Sequence, residues 1–447
     1  MQIFEKSGEA RMAAWLQSLV WNPLFLGLFL FTGAYFTLRS RLFILRHPLM
    51  VLRATFGQMF RPVNDGISPF RALSCSLAAC MGTGNIIGVA GALLLGGAGS
   101  IFWMVVSALL GMATSCAENI LGLLHRKKDE TGEWSGGSIA YIEAAFGSRK
   151  IAFLFALCCT AVSLGMGNMA QVNSAAEALR EQQPFSPLPC GLVFAALTGL
   201  VIFGGAKRIT ALTEKLIPPL CAVFLLACFA VLVKCRAELI PSVRLIFRQA
   251  FSLRSAGAGA FGFTLSQTVR VGVSRGVFSN EAGLGSAPLI HASAQTDSPF
   301  RQGLWGSVEV FIDTVLMGAV TALVFLCSGA AQSAAAPAQM TVLAFSCVFG
   351  RFSGAFVSVS LAVFAFATLI GWACYGEKGA AYCFGRKGVL PYRLVYLACI
   401  VLGACVRAET VWALADVFNA LMALPNLTAL LFLRKEIIAH MKKPRLP

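Results

Sequence analysis

From Ala72 to Ala117 the chain carries not one Asp, Glu, Lys or Arg. A helix that crosses a bilayer takes roughly 20 apolar residues, so this run holds two crossings and the turn between them. Lipid offers backbone groups no partners, which restricts membrane-spanning chains to helices and closed β-barrels. Barrel strands alternate apolar and polar residues, and this run does not. The reading is an all-α polytopic membrane protein. Composition agrees: 57% of residues are hydrophobic and only 13% charged, against about 25% charged in soluble domains.

The rule of about 20 residues per crossing gives about eleven spans. Their expected ranges are 19–38, 72–95, 101–123, 151–174, 189–206, 216–233, 257–278, 304–328, 356–374, 389–406 and 411–433. The connections after spans 1, 3, 5, 7 and 9, with the C-terminal tail, hold more than twice as many Lys and Arg residues as the other side. The positive-inside rule then places the N-terminus outside and the C-terminus in the cytoplasm. One connection dissents, with Lys234, Arg236, Arg244, Arg248 and Arg254 on the outer side. Arg41–Arg61 mixes Leu, Phe and Met with spaced Arg, as an interfacial helix does, and Thr341–Gly350 is too short to span and is expected to cap the outer face.

The net charge of +16 is accounted for by these loop residues, so nucleic acid is not implied. The 15 cysteines are scattered in apolar runs and read as small buried hydrophobes, without disulfide or zinc spacing. Glu5, Lys6, Glu9 and Arg11 precede the first apolar run, unlike the basic start of a cleavable signal.

Within the charge-free run, Cys80–Gly99 carries seven glycines, although each costs about 1 kcal/mol in a helix interior. Gly91, Gly96 and Gly97 read as close helix-packing positions. "MGTGN" (Met81–Asn85) reads as a helix opened in mid-membrane. Five spans on, "RVGVSRG" (Arg270–Gly276) is again interrupted by glycine. Matching interruptions in two halves point to a transporter's binding site. Spans 2–6 and 7–11 are then two inverted repeats. Residues 1–71 form an added N-terminal helix and interfacial segment, 72–215 most of the first repeat, 216–256 its last helix and outer connection, 257–433 the second repeat and 434–447 a cytoplasmic tail. Half-helix N-termini offer N–H groups to a carboxylate, and freed carbonyls suit an ammonium or Na⁺.

"GTGNIIGVA", "GGAGSIFWM" with "GMAT…AE", "GMGNMAQVNS", "RGVFSNEAGLGSAP", "FAFATLIGWACYGE" and "ALADVFNALMALPNL" occur in this order. Together they resemble the alanine/glycine:cation symporter family, also called sodium:alanine symporters. The resemblance implies a leucine-transporter-type fold of five plus five inverted helices. It also implies Na⁺-coupled uptake of alanine or glycine across a prokaryotic plasma membrane, with no organic cofactor. It places Thr83, Gly84 and Asn85 at the substrate carboxylate, Gln171 and Asn173 in the same cavity, and Gly272, Val273 and Ser274 facing the ligand from span 7. Gln171 and Asn173 alternatively make helix–helix hydrogen bonds. Trp372 walls the pocket, or else belongs to an interfacial belt. Thr368, with carbonyls near Ala79 and Cys80, forms the Na⁺ site, whose all-oxygen ligands suit a hard cation. Ala98 and "GGSIAYI" (Gly136–Ile142) depart from the family pattern outside this pocket.

Charged residues within spans are functional candidates by default. Glu309 and Asp313 are expected near the cytoplasmic start of span 8, Glu118 beside Arg126, and Arg275 paired with Glu281 as an inner gate; each reads as structural rather than ligand-binding. H⁺ coupling needs an ionisable group in the cavity, and none is expected near Thr83. An intramembrane enzyme needs paired catalytic groups, and His291 is expected alone in a connection. A channel's filter or charge ring is not seen.

Overall fold

The computed structural model places residues 22–59, 66–128, 134–180, 186–252, 265–296, 298–333, 336–406 and 408–442. The starts of spans 1 and 7 expected at 19–21 and 257–264, and Arg254, lie outside these. The placed chain is nearly all helix, and six helices are long and apolar enough to cross a membrane as single rods. They include span 3 (Gly99–Leu124), span 4 (Arg149–Arg180), span 6 (Gly205–Lys234) and span 8 (Pro299–Cys327). Spans 9 and 10 are the helices Ser353–Phe384 and Val389–Cys405. Spans 1, 5 and 11 are Pro23–Arg39, Pro187–Ile202 and Ala408–Phe432.

Spans 3, 4, 8 and 9 are mostly buried, whereas 6 and 10 are mostly exposed. Their exposed side chains are Val223, Leu226, Phe229 and Val233 on span 6 and Leu390, Leu394, Val395 and Leu402 on span 10. Such a continuous apolar exterior suits a hydrocarbon solvent. The dissenting basic connection contains a helix, Leu239–Ala250. It lies across the start of span 3, where Trp103 Nε1 donates to the Ala250 carbonyl at 2.9 Å and Gln249 Oε1 accepts from the Ala98 N–H at 2.9 Å. Arg41–Arg61 contains the short helices Phe43–Arg46 and Pro48–Ala54. Of Thr341–Gly350, all but Gly350 falls in the helix Pro337–Phe349, and Gly350 caps that helix.

Span 2 is broken. Ser68 caps the first half-helix, Pro69–Cys80, with Pro69 in its first turn. The chain then runs through an extended Gly82 and one tight turn, Thr83–Asn85, before the second half-helix, Ile87–Gly96. A Cβ on Gly82 would stand 2.6 Å from both Gln171 Oε1 and Thr368 Oγ1. A side chain there would displace both groups, so glycine leaves them room.

Span 7 corrects the sequence reading. Leu265–Asn280 is one unbroken helix through Arg270–Gly276. Gly272 and Gly276 lie tight against Ser100, Met104 and Ser107 of span 3. They serve close helix packing, not an interruption. The opening comes later, at Glu281 (φ 56°), Gly283 (φ 96°) and Gly285 (φ 78°), before the short helix Pro288–His291. Left-handed backbone favours glycine, which explains two of these three positions. Gly96 is a packing glycine as expected, with a Cβ there 2.9 Å from Val271 Cβ, but Gly91 has nothing within 4 Å, and Gly97 (φ 69°) ends the second half-helix.

Two rods carry π-helical turns: Gly165–Met169 in span 4 and Phe311–Gly318 in span 8. Such turns loosen the backbone ladder and often mark functional sites.

Gly272→Val should destabilise the protein by about 1–3 kcal/mol through overpacking, read as a lower melting midpoint in detergent. Gly91→Ala should hold or raise the midpoint, because the added methyl meets nothing and alanine is the better helix former.

Candidate functional site

The opening of span 2 is held from two sides. The Thr83 N–H and hydroxyl both donate to Gln171 Oε1, at 3.0 and 2.9 Å. Gln171 in turn donates through Nε2 to the Met166 carbonyl at 3.1 Å, inside the π-turn of span 4. From span 9, the Thr368 hydroxyl donates to the Ala78 carbonyl at 3.0 Å, near the end of the first half-helix, where carbonyls lose their helical partners. The Cys80 carbonyl accepts from the Gly82 N–H at 2.9 Å. One turn along span 9, Trp372 packs over Gly167 and meets Tyr375 edge-on at 5.3 Å. Thr83, Gln171, Thr368 and Trp372 are all buried, so the cluster is closed to solvent.

A second cluster lies at the other end of the same opening. Asn85 Nδ2 donates to Asp313 Oδ1 at 2.7 Å and to the Asp313 carbonyl at 2.9 Å. Ser279 Oγ stands 2.7 Å from Asp313 Oδ2 and 3.0 Å from Asn85 Oδ1. Thr314 Oγ1 donates to Asp313 Oδ2 at 2.7 Å and accepts from Asn280 Nδ2 at 3.1 Å. This overturns the expectation of no ionisable group near Thr83. Span 8 begins at Pro299, so Asp313 lies about 20 Å along it, at 1.5 Å per residue, rather than at its start.

Two further networks fasten the segments that flank the openings. Glu309 accepts from Ser76 at 2.5 Å, and Ser76 also meets the Tyr375 hydroxyl at 2.9 Å. His291, expected alone in a connection, is buried, 3.2 Å from Glu309 Oε2 and 2.6 Å from Gln302 Nε2. Glu118 Oε1 accepts from the Gly283 N–H at 3.1 Å, the Gly285 N–H at 3.0 Å and Asn426 Nδ2 at 2.6 Å. Tyr141 donates to the Oδ1 of that asparagine. The expected Arg126 partnership is absent: Arg126 donates instead to the carbonyls of Ala292, Ala294 and Thr296.

Several other expected positions are elsewhere. Asn173 donates to the Gly403 and Val406 carbonyls at 3.0 and 2.6 Å, which is the helix–helix alternative. Gly272 packs on span 3, and Ser274 bonds back to the Val271 carbonyl; Val273 sits on the same unbroken helix. Span 7 reaches the opening through Ser279 on Asn85 instead. Arg275 and Glu281 form no pair: Glu281 Oε2 accepts from Ser286, and Oε1 is buried without a partner. Gly84 has nothing within 4 Å of a Cβ position. The side chains placed wrongly from sequence (Asp313, Glu309, His291) carried one usable signal, an ionisable group inside an apolar run, whereas Ser279, for which no role was expected, carried none.

A cavity of about 1580 Å³ opens on one face, between the connections that follow spans 3, 5 and 9. Lys127, Lys128, Arg149, Lys207, Lys378 and Arg386 line it against Glu143 and Glu377. Cys374 also lines it, two residues from Trp372.

The sequence profile of the sodium:alanine symporter family matches residues 6–444. The sodium/alanine symporter AgcS of Methanococcus maripaludis is 38% identical, over 96% of this chain and 95% of its own. The probable sodium/glutamine symporter GlnT of Bacillus subtilis is 36% identical, over 95% of this chain and 88% of its own. In fold, the manganese transporter of Eremococcus coleocola aligns with a TM-score of 0.53 over 81% of this chain and 78% of that one, at 14% identity.

Glu118→Leu removes the one carboxylate oxygen, Oε1, that accepts from three donors. Unpaired buried N–H groups should cost about 1–3 kcal/mol, seen as a lower unfolding midpoint; an unchanged midpoint would remove Glu118 as the clamp on the second opening.

Proposed function

This chain belongs to the sodium:alanine symporter family, and on that premise we propose that it takes up a small neutral amino acid, alanine or glycine, together with Na⁺. It is a transporter rather than an enzyme, and a multi-pass membrane protein. The proposed site lies at the opening of span 2, and the observation that carries it is the convergence of the Thr83 N–H and hydroxyl on one oxygen of Gln171. A carboxylate oxygen accepts from the same two donors if the Gln171 amide gives way. Thr83, Gly84 and Gln171 are then the carboxylate end. Carbonyls at the end of Pro69–Cys80 face the ammonium, and Trp372 limits side-chain size. The glutamine named for one relative makes that wall the natural seat of substrate selection within the family.

The proposed Na⁺ site uses Thr368 with carbonyls around Ala79 and Cys80. A hydroxyl that donates to Ala78 keeps its lone pairs for a hard cation. The openings at 81–86 and 281–287 each follow the first helix of a half, which supports two inverted repeats, spans 2–6 and 7–11, with span 1 added. Charge bias supports a cytoplasmic C-terminus in a prokaryotic plasma membrane, and the basic cavity then faces the cytoplasm. H⁺ coupling gains an observation the sequence did not offer, the buried carboxyl of Asp313 beside Asn85.

Alanine binding should weaken more than tenfold in Thr83→Val and in Gln171→Ala, since each leaves a buried partner unpaired. In the same proteoliposomes, Thr368→Val should raise the Na⁺ concentration needed for half-maximal uptake, while Thr368→Ser stays near the parent. Alanine affinities within threefold of the parent for both of the first pair would overturn the carboxylate seat, and identical Na⁺ curves for Thr368→Val and parent would overturn the ion site.

A further inference from the structure

We infer that the helix Leu239–Ala250 docks on anionic phospholipid headgroups, at the end of the molecule away from the cavity, and that the lipid thereby steadies the second half of broken span 2; this rests on the chain's crossing a membrane and not on the choice of solute. It gives a use to the basic connection that runs against the charge bias of the other loops.

Contacts fix how the helix lies. Ser242, Ile246 and Ala250 recur every four residues and form its buried face. Near one end, Cys327 Sγ at the close of span 8 donates to Ser242 Oγ at 3.5 Å. At the other end, Gln249 and Ala250 bond Ala98 and Trp103 at the start of span 3. Span 6 also ends on this side, at Lys234. A helix that rests on the ends of two spans runs along the membrane surface instead of crossing it. Lys234 is already engaged, donating to the Cys347 carbonyl of the helix Pro337–Phe349.

The opposite face is both apolar and cationic. Ile240, Phe247 and Phe251 are 63%, 55% and 59% exposed. The rings of Phe247 and Phe251 meet Phe102 at 5.5 and 5.0 Å, an aromatic cluster at the level where membrane proteins concentrate such side chains. Arg244 and Arg248 share this face, Arg236 stands just before the helix, and all three are exposed. Among the described residues none of the three forms an ion pair or a hydrogen bond. Glu238 is the one carboxylate between Lys234 and Ser252. An apolar stripe flanked by arginines is the pattern of a helix seated at the lipid boundary. A guanidinium pairs two phosphate oxygens at once, and an anionic headgroup answers it without bringing a cation of its own. A second copy fits poorly, because a two-fold contact sets the same arginines against each other.

Placement gives the lipid its effect. A Cβ on Gly99 would stand 2.5 Å from the Gln249 carbonyl carbon, so the surface helix presses on the turn between Ile87–Gly96 and span 3. That half-helix begins at the opening Thr83–Asn85. Headgroups that hold the surface helix therefore restrain the outer end of the same half-helix. A ligand that binds one conformation better than another shifts the equilibrium toward it by that difference.

The experiment compares the parent with a triple glutamine variant, Arg236→Gln with Arg244→Gln and Arg248→Gln, and with the matching triple lysine variant, which keeps the charge. Phosphatidylglycerol is titrated into each protein in neutral detergent, and bound lipids are counted by native mass spectrometry. Each cation near an anionic surface is worth about fivefold in binding. The glutamine variant should therefore hold its tightest lipid more than tenfold more weakly than the parent, and the lysine variant within about threefold of it. In proteoliposomes, parent alanine uptake should rise at least threefold when phosphatidylglycerol joins phosphatidylcholine. The glutamine variant should match the parent in phosphatidylcholine alone and show no rise. Unchanged lipid retention, or a full rise in the glutamine variant, overturns the inference. Loss of uptake by that variant already in phosphatidylcholine assigns the arginines to packing and overturns it too. So does a rise produced by inorganic phosphate in phosphatidylcholine vesicles, or a change of oligomeric mass in the glutamine variant, which assign the face to a free anion or to a second copy. If alanine flux is absent from every vesicle, the solute reading fails, and the lipid counts alone decide this inference.

Discussion

The contact on which the rest depends is the approach of Gln171 and Thr368 to Gly82. Opening a helix inside a membrane frees backbone groups that lipid cannot satisfy. Here spans 4 and 9 supply the replacements. Gln171 takes the Thr83 N–H, and Thr368 takes the Ala78 carbonyl. Both side chains come within 2.6 Å of where a Cβ would be on Gly82, so the absence of a side chain at one residue lets two distant helices hold the opening. The π-turn of span 4 belongs to the same arrangement: its Met166 carbonyl orients the Gln171 amide, and its Gly167 admits Trp372.

The second opening is held by different chemistry. There the freed N–H groups of Gly283 and Gly285 meet a carboxylate, Glu118, supported by Asn426 and Tyr141. The two openings meet through Ser279, Asn85 and Asp313. A change in any one of spans 2, 7 or 8 therefore reaches the others through side-chain bonds of 3 Å or less. Such a chain of contacts is one physical route by which sites on these three spans can be coupled.

The sequence revealed the membrane environment and the first opening because both rest on local signals. A run without charge and a glycine pair flanked by Thr83 and Asn85 are visible in one dimension. The second opening was misplaced because glycine has two uses. Gly272 and Gly276 serve helix contact, whereas Gly283 and Gly285 supply left-handed backbone, and the residue type alone does not separate them. Asp313 was misplaced because the apolar run suggested a span starting at Leu304, while Ser298 and Pro299 start the helix earlier. Asn173 and Gln171 are two residues apart and look alike, yet one bonds span 10 and the other the opening. Helical phase relative to neighbours decides that, and phase is a tertiary property.

The central claim is that one buried site at the opening of span 2 binds the solute and couples it to Na⁺. Counterflow of labelled alanine into proteoliposomes tests it most directly, with Na⁺ or choline on both sides and no net gradient. The account predicts accumulation of label in Na⁺, little in choline, and loss of the Na⁺ signal in Gln171→Ala. Equal counterflow in Na⁺ and choline, or full counterflow in Gln171→Ala, would contradict it.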